Sequence, residues 1–359
     1  MLFTTPKSAR IRKLDDELDG LQARLRQGMG QARPWTLPLR RQQQARSWAS
    51  SIRIEGFDLH PSRAEKLARG EAEAQPGDED EAAFLCYAHA MEHVTVLAVD
   101  PQFKWLERVI YDLHFEACRF QRDKHPGLLR TDSISVTSPG GGIAYRGPDH
   151  STLPKLMKEL VKSLLQGSGS RVAADAAMAH LNLISIHPFE DGNGRISRIL
   201  QSLVLAREGV LAPELGSIEQ YLAKHTDDYY AVLMEVQGGS FDPGRDATPW
   251  VEFCLEAHVA QAKARIRVID DAATRWDRLE RLVADRGWDE RLTIALEQAL
   301  YGSTDRATYS SEAQIANPTA SNDLRRLVDA GLLRITGGGR STAYEPTRQL
   351  TDSVAQESA

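Results

Sequence analysis

His187-Pro188-Phe189-Glu190-Asp191-Gly192-Asn193-Gly194-Arg195-Ile196-Ser197-Arg198 interrupts a stretch, from Arg171 to about Leu205, in which apolar residues otherwise recur at helical spacing. Pro188 disfavours α geometry at the residue before it, so one helix ends there and the His187 imidazole stands at a helix-to-loop junction. A histidine in that position suits a general base near neutral pH. Phe189 is apolar in a polar run and pins the loop to the core. Asp191 offers a hard carboxylate, of which magnesium takes one or two beside phosphate oxygens and water. Gly192, Asn193 and Gly194 allow positive φ and close approach of backbone to a ligand at the start of a new helix, which is how a phosphate nest is built. Arg195 and Arg198 lie three apart on the face beside that nest, where two guanidiniums can hold a polyphosphate. Ile199, Leu200 and Leu203 bury the opposite face. Glu190 and Ser197 are read as solvent-facing or supporting residues.

The surrounding chain is mainly α. Ile11, Leu14, Leu18, Leu21 and Leu25 form one apolar stripe on a short amphipathic helix, too short for a partner coiled coil. Residues 1–46 carry ten Lys or Arg against four acidic residues, read as a solvated face. Helices are expected from Arg40 to Gly56, over Glu81 to Gln121, from Thr152 to Leu165, from Ser217 to Val236 and from Trp250 to Val283. Glu71 to Glu81 reads as an acidic loop. Between Asp132 and Arg146, Ile134 and Val136 alternate with polar residues, Pro139 to Gly142 supplies a turn, and Ile143 and Tyr145 resume the alternation, which predicts a β-hairpin.

With 359 residues and a formal charge of −6, the chain is long enough for a core plus an appended module, and it lacks the basic surplus of a dedicated nucleic-acid binder. Cys86, Cys118 and Cys254 are dispersed and form no CxxC pair, which fits a reducing, cytoplasmic setting. Neither an export signal nor an apolar run of membrane-spanning length is read, so no membrane role is expected. His89-Ala-Met-Glu-His93 formally matches a zinc-hydrolase pattern. Without a third-ligand motif downstream, the two histidines are taken as structural.

The segment His187 to Arg198 resembles the Fic-family signature HPFx[D/E]GNGRxxR at all nine specified positions. The likeness extends over roughly Arg46 to Leu255, taking in the hairpin as the family's flap, Leu153 to Met157 as the helix start after it, and Tyr229-Tyr230 with Trp250 downstream. The resemblance implies a protein adenylyltransferase that uses ATP and Mg2+ to modify a Ser, Thr or Tyr hydroxyl of a target protein. It would make His187 the base, Asp191 the magnesium ligand, Gly192 to Gly194 the anion hole, and Arg195 and Arg198 the grip on the β- and γ-phosphates. Tyr229 and Tyr230 would line the nucleoside pocket, with a core role equally open for one of them. Flap residues Ile143, Ala144, Tyr145 and Arg146 would dock the target as an added strand. Ser51-Ile52-Arg53-Ile54-Glu55-Gly56 resembles the family's inhibitory motif, in which Ser51 and Glu55 share a helix face and Glu55 pairs with Arg198. Removal of AMP by the same site is a second implied reaction.

Four segments are expected: an N-terminal helical region over 1–80 containing the inhibitory helix, a catalytic core over 81–285, a winged helix-turn-helix over 286–347, and a disordered tail over 348–359. The third segment shows Leu324, Leu327, Val328, Leu332 and Leu333 as its inward face and Gly331 as a helix stop. Arg325, Arg326, Arg334 and Arg340 are nearly balanced by Asp323, Asp329 and Glu345. A protein-contact or homodimer module is therefore preferred to a DNA reader, although a nucleotide-sensing, DNA-binding regulator stays open.

Overall fold

The computed structural model describes residues 1–29, 33–137, 142–167, 171–209, 217–339 and 342–355. The expected turn residues Pro139 to Gly141, Arg340 and the last four residues lie outside them. The described chain divides into two compact units, residues 1–27 with 41–265, and residues 28–40 with 266–359.

α1 (Ala9–Met29) and α2 (Thr36–Ile54) begin the chain and α3 (Pro61–Ala68) follows. The α1 stripe is buried at Ile11, Leu18 and Leu25. α4 (Glu79–Val99) starts earlier than the sequence reading placed it. Asp78 caps it by accepting from the Glu81 N–H, and Glu79, Asp80 and Glu81 form its first turn, where acidic side chains suit the helix dipole. The acid-rich stretch reads as loop in sequence although its last residues are a helix start. Composition alone does not separate the two. α4 also corrects the expectation of no spanning-length apolar run: at 21 residues it is long and apolar enough to cross a bilayer. Its Phe84, Tyr87, Met91 and Val94 are instead buried, where α4 packs on α5 (Glu107–Cys118) and on α8 (Asn193–Arg207).

The hairpin pairs β1 (Ser135–Thr137) with β2 (Ile143–Arg146), matching Ser135 with Arg146 and Val136 with Tyr145. After α6 (Leu153–Leu165) comes α7 (Val172–Ile186), whose residues are apolar on every side. Twelve of its fifteen residues are buried, which makes it the central helix against which α8 packs. α9 (Glu219–Lys224) and α10 (Thr226–Gln237) split one expected helix at His225, and α11 (Thr248–Ala284) follows.

The second unit contains α12 (Leu292–Leu300), α13 (Arg306–Glu312), α14 (Asn317–Asp329), the antiparallel strands β3 (Leu333–Thr336) and β4 (Ala343–Pro346), and α15 (Arg348–Val354). Leu292, Leu296, Tyr309, Leu324, Leu327, Leu332 and Leu333 form its core. Gly331 adopts a φ of 74°, as a helix stop requires. The expected disordered tail is corrected over 348–354. Thr347 caps a helix there by accepting from Leu350 N–H, and Leu350 is buried in the core of this unit.

Candidate active site

α7 ends at His187 in a left-handed conformation, φ 49°, with its N–H still bonded to the Leu183 carbonyl. Its Nδ1 lies 3.2 Å from the Ile184 carbonyl, which can only accept. Nδ1 therefore carries the proton and Nε2 keeps a lone pair. Burial pushes the imidazole down to about 4, so it is unprotonated at neutral pH.

The loop from His187 to Gly192 is closed by Asn193, whose Oδ1 accepts from the Phe189 N–H at 3.0 Å and whose Nδ2 donates to the Phe189 carbonyl at 2.9 Å. Gly192 caps α8 at φ 74°, and a Cβ there would meet Cys118 Sγ at 2.3 Å. Only glycine fits on both counts.

Arg195 and Arg198 are both buried, with side chains 1% exposed. Arg195 donates to Gln121 at 2.8 Å and to Asp191 Oδ2 at 2.9 Å, with Phe57 and Phe120 against its guanidinium. Arg198 reaches α2: Nε donates to Ser51 Oγ at 2.7 Å, and Nη2 to the Ser51 carbonyl at 3.0 Å and to Glu55 Oε1 at 2.9 Å. Burial opposes the Arg198 charge, but Glu55 beside it prevails and raises its pKa. Gly56, at φ 93°, ends the turn that presents Glu55. The Glu55 carboxylate also lies against the start of α8, since a Cβ on Gly194 would stand 2.3 Å from Oε1. A carboxylate thus occupies the place where a helix N-terminus would receive an anion.

A cavity of about 660 Å³ is lined by Glu55, Ala144, Tyr145, His187, Asp191, Gly192, Asn193, Gly194, Tyr229 and Tyr230, among others. Arg195 and Arg198 lie outside this lining. Ile143 and Arg146 stand beside it in β2, and Ser51 is buried behind Glu55. The two tyrosines divide as the sequence left open. Tyr230 is 44% exposed and its hydroxyl donates to the Ile54 carbonyl at 3.2 Å. Tyr229 is buried, and its hydroxyl meets His180 Nε2 at 3.1 Å.

His180 continues to Gln201 Oε1 at 2.7 Å, and Gln201 Nε2 to His258 at 3.1 Å. Burial lowers His180 to about 3. Its unfolded pKa is near 6.5, so its contribution to stability is intact above that value and is lost as pH falls from 6.5 toward 3. Asp15, raised to about 6 by burial, works in the opposite direction between pH 6 and its unfolded value. The clean measurement is therefore a comparison. His180→Gln is expected to lower Tm at pH 7.5, and the gap to the parent should narrow by pH 5, by up to about 1.4 kcal/mol per pH unit. A pH-independent gap contradicts the neutral-imidazole assignment.

Sequence reasoning missed two residues that hold this loop. The His114 ring stacks on Phe189, with centroids 3.6 Å apart, donates Nε2–H to the Asp191 carbonyl at 2.9 Å and accepts from the Gly127 N–H. Arg130 donates to the His187 carbonyl at 2.8 Å. Neither has a local sequence signal, because the partners are main-chain groups distant in sequence. The zinc-hydrolase pattern does not assemble. His93 pairs with Glu116, His89 meets Arg119, and no group of three or more metal-capable side chains occurs among the described residues.

Residues 103–205 match the Fic/DOC family. Among curated proteins, the protein adenylyltransferase Fic of Drosophila ananassae is 59% identical over 176 residues, which is 46% of this chain and 32% of that protein. The protein of the same name from Aedes aegypti is 43% identical over 81 residues, 23% of this chain and 14% of that one. The chain thus spans about a third or less of the length of these relatives. Among solved structures, a Fic family protein from Desulfovibrio desulfuricans superposes with a TM-score of 0.64 at 20% identity, covering 97% of this chain and 99% of that one. Fic-1 of C. elegans gives 0.56 at 19% identity, covering 72% and 73%. The family signature, the loop built on it and the shared fold agree: residues 103–205 of this chain are a Fic/DOC-family domain.

Proposed function

We propose that the chain transfers AMP from ATP to a Ser, Thr or Tyr hydroxyl of a target protein, and that Glu55 restrains the transfer by holding Arg198. One observation carries the reading: a neutral imidazole whose Nε2 has no hydrogen-bond partner among the described residues, an exposed carboxylate and a helix N-terminus meet in one cavity. The names of the curated relatives support the choice of group transferred. Nε2 of His187 takes the proton of the incoming hydroxyl, whose oxygen attacks the α-phosphorus as pyrophosphate leaves. Positioning and charge neutralisation supply most of the rate. Among the described residues, the buried Nη1 of Arg195 and of Arg198 and the Nε of Arg195 have no hydrogen-bond partner, which fits the demand of an anionic ligand for donors.

Asp191 would hold magnesium. Its carboxylate is 39% exposed on the cavity side, and only Oδ2 is bonded among the described residues. The bound ion would neutralise charge on the phosphate oxygens. Asp191→Ala is expected to weaken ATP binding and to shift magnesium dependence of transfer to higher concentration. Unchanged magnesium dependence rules out this ligand. Tyr230, with the ring of Tyr229, would wall the nucleoside, and Ile143, half-exposed on β2, would meet a target segment added to the flap.

Removal of AMP by the same site is a second reading, supported by Glu55 Oε2, which accepts no bond among the described residues although Glu55 lines the cavity and could orient a water. For the second unit, we read a winged helix-turn-helix used for protein contact or dimer formation in a cytoplasmic setting. Arg334 is paired with Glu345 at 2.7 Å and Arg326 lies over Trp288, and the near balance of acidic and basic residues over 323–345 offers DNA little phosphate attraction. The test of the central reaction is the leaving group. Incubation with ATP and target lysate should release pyrophosphate in step with protein modification, and release of inorganic phosphate alone contradicts it.

A further inference from the structure

We propose that Arg130 is a positioning residue that fixes the flap and the catalytic base in one frame, so that a target segment on the flap is presented at a set distance from His187. The proposal rests on the assignment of His187 as the base. Arg130 is 8% exposed and lies ahead of β1. Its Nε donates to the His187 carbonyl at 2.8 Å, Nη1 to the Asp132 carbonyl at 2.6 Å and Nη2 to the Pro148 carbonyl at 2.6 Å. Its own N–H donates to the Pro188 carbonyl at 2.9 Å. Asp132 and Pro148 stand just outside the two strands of the flap. One planar guanidinium therefore joins both legs of the hairpin to the residue that carries the imidazole.

The chemistry selects arginine. Three carbonyls in three directions need a fork of donors fixed in one plane, which an ammonium on a flexible stem does not supply. The attachment matters because His187 is held at φ 49°, a conformation that persists in a non-glycine residue only where its surroundings over-determine it. The flap also passes close by. A Cβ on Gly147 would stand 2.9 Å from Ile134 Cγ2, 3.1 Å from Arg130 Nη2 and 3.7 Å from His187 Cβ. No side chain fits between the flap leg, the guanidinium and the base. Arg130 holds the backbone of His187 and leaves the imidazole Nδ1 to Ile184, while the Arg130 charge adds to the burial that disfavours protonation of that ring.

The test uses the full chain with Arg130→Met, which keeps an apolar stem without donors, and Arg130→Lys, which keeps the charge without the fork. Amide hydrogen exchange, ATP binding and the transfer rate are measured on each. Exchange at Tyr145 and Arg146 and at His187 is expected to rise together in both variants. ATP affinity should stay near that of the parent, because the start of α8 is untouched. The kcat for transfer should fall up to about a hundredfold, the scale of a misplacement near one ångström. Methylguanidinium added to Arg130→Ala should restore part of that loss, which a collapsed fold would not allow. Full activity in Arg130→Lys, faster exchange confined to the flap, or a loss of ATP affinity as large as the loss of kcat overturns the proposal. Should the parent protein transfer no AMP, the reading of the reaction fails, while the exchange data still decide whether Arg130 couples flap and base.

Discussion

His187→Ala is expected to lose transfer by about a hundredfold or more while binding ATP as the parent does. In the proposed reaction the base acts where the hydroxyl proton leaves, in the transition state, and the phosphates would be held elsewhere, at the start of α8. Its Nδ1 is engaged with the Ile184 carbonyl, so Nε2 is the nitrogen whose removal matters. Asparagine keeps a polar side chain without basicity and should behave like alanine. Because burial lowers the imidazole to about 4, the base stays unprotonated from neutral pH down to that region. Transfer should therefore not decline with the midpoint near 6.5 of an ordinary histidine. Measurement of initial rates and nucleotide affinity across pH 5 to 8 checks both statements. Robust transfer by either variant removes His187 from the mechanism.

The second large effect is a gain. Glu55→Gly should raise transfer by about 5- to 150-fold, the usual span of a coupling between a control element and a site. Glu55 draws on the Arg198 guanidinium and fills the space against Gly194. A carboxylate there would repel a triphosphate and withhold the cation proposed to hold it. Glu55→Gln separates the two contributions: it keeps the size and helix propensity and deletes the charge. Arg198→Ala should cancel the gain from either substitution, since the group being released is then missing. Ser51 would still be present but would have lost both of its bonds to the guanidinium. A gain that persists without Arg198, or a decrease in Glu55→Gly, contradicts this control.

The residues proposed to carry the chemistry were legible because their signal is local. Pro188 stops a helix, glycines flank Asn193, and two arginines follow at helical spacing, so twelve consecutive residues specify the loop together with the proposed nest and base. The Glu55–Arg198 contact was legible only through resemblance, because Ser51 and Glu55 are far from Arg198 in sequence and a helix ending in Glu-Gly is common. Tyr229 and Tyr230 could not be separated from their neighbours' periodicity. One hydroxyl satisfies a buried histidine and the other reaches a carbonyl at the end of α2, and both partners are set by tertiary packing. Arg130 and His114 were invisible for a related reason. A side chain that bonds main-chain carbonyls leaves no complementary residue type to search for. The helix over 348–354 was missed because its signal is one cap, Thr347, and one buried leucine, Leu350, in an otherwise polar tail.

The reaction itself is tested most directly by the fate of the two ends of ATP. Glu55→Gly protein is incubated with magnesium, a cell lysate and ATP labelled at either the α- or the γ-phosphorus, and protein-bound label is read after denaturing electrophoresis. The account predicts covalent label from the α-position, none from the γ-position, and loss of the α-label when His187→Ala is added to the same chain. Label from the γ-position, or α-label that survives His187→Ala, contradicts adenylyl transfer by this site.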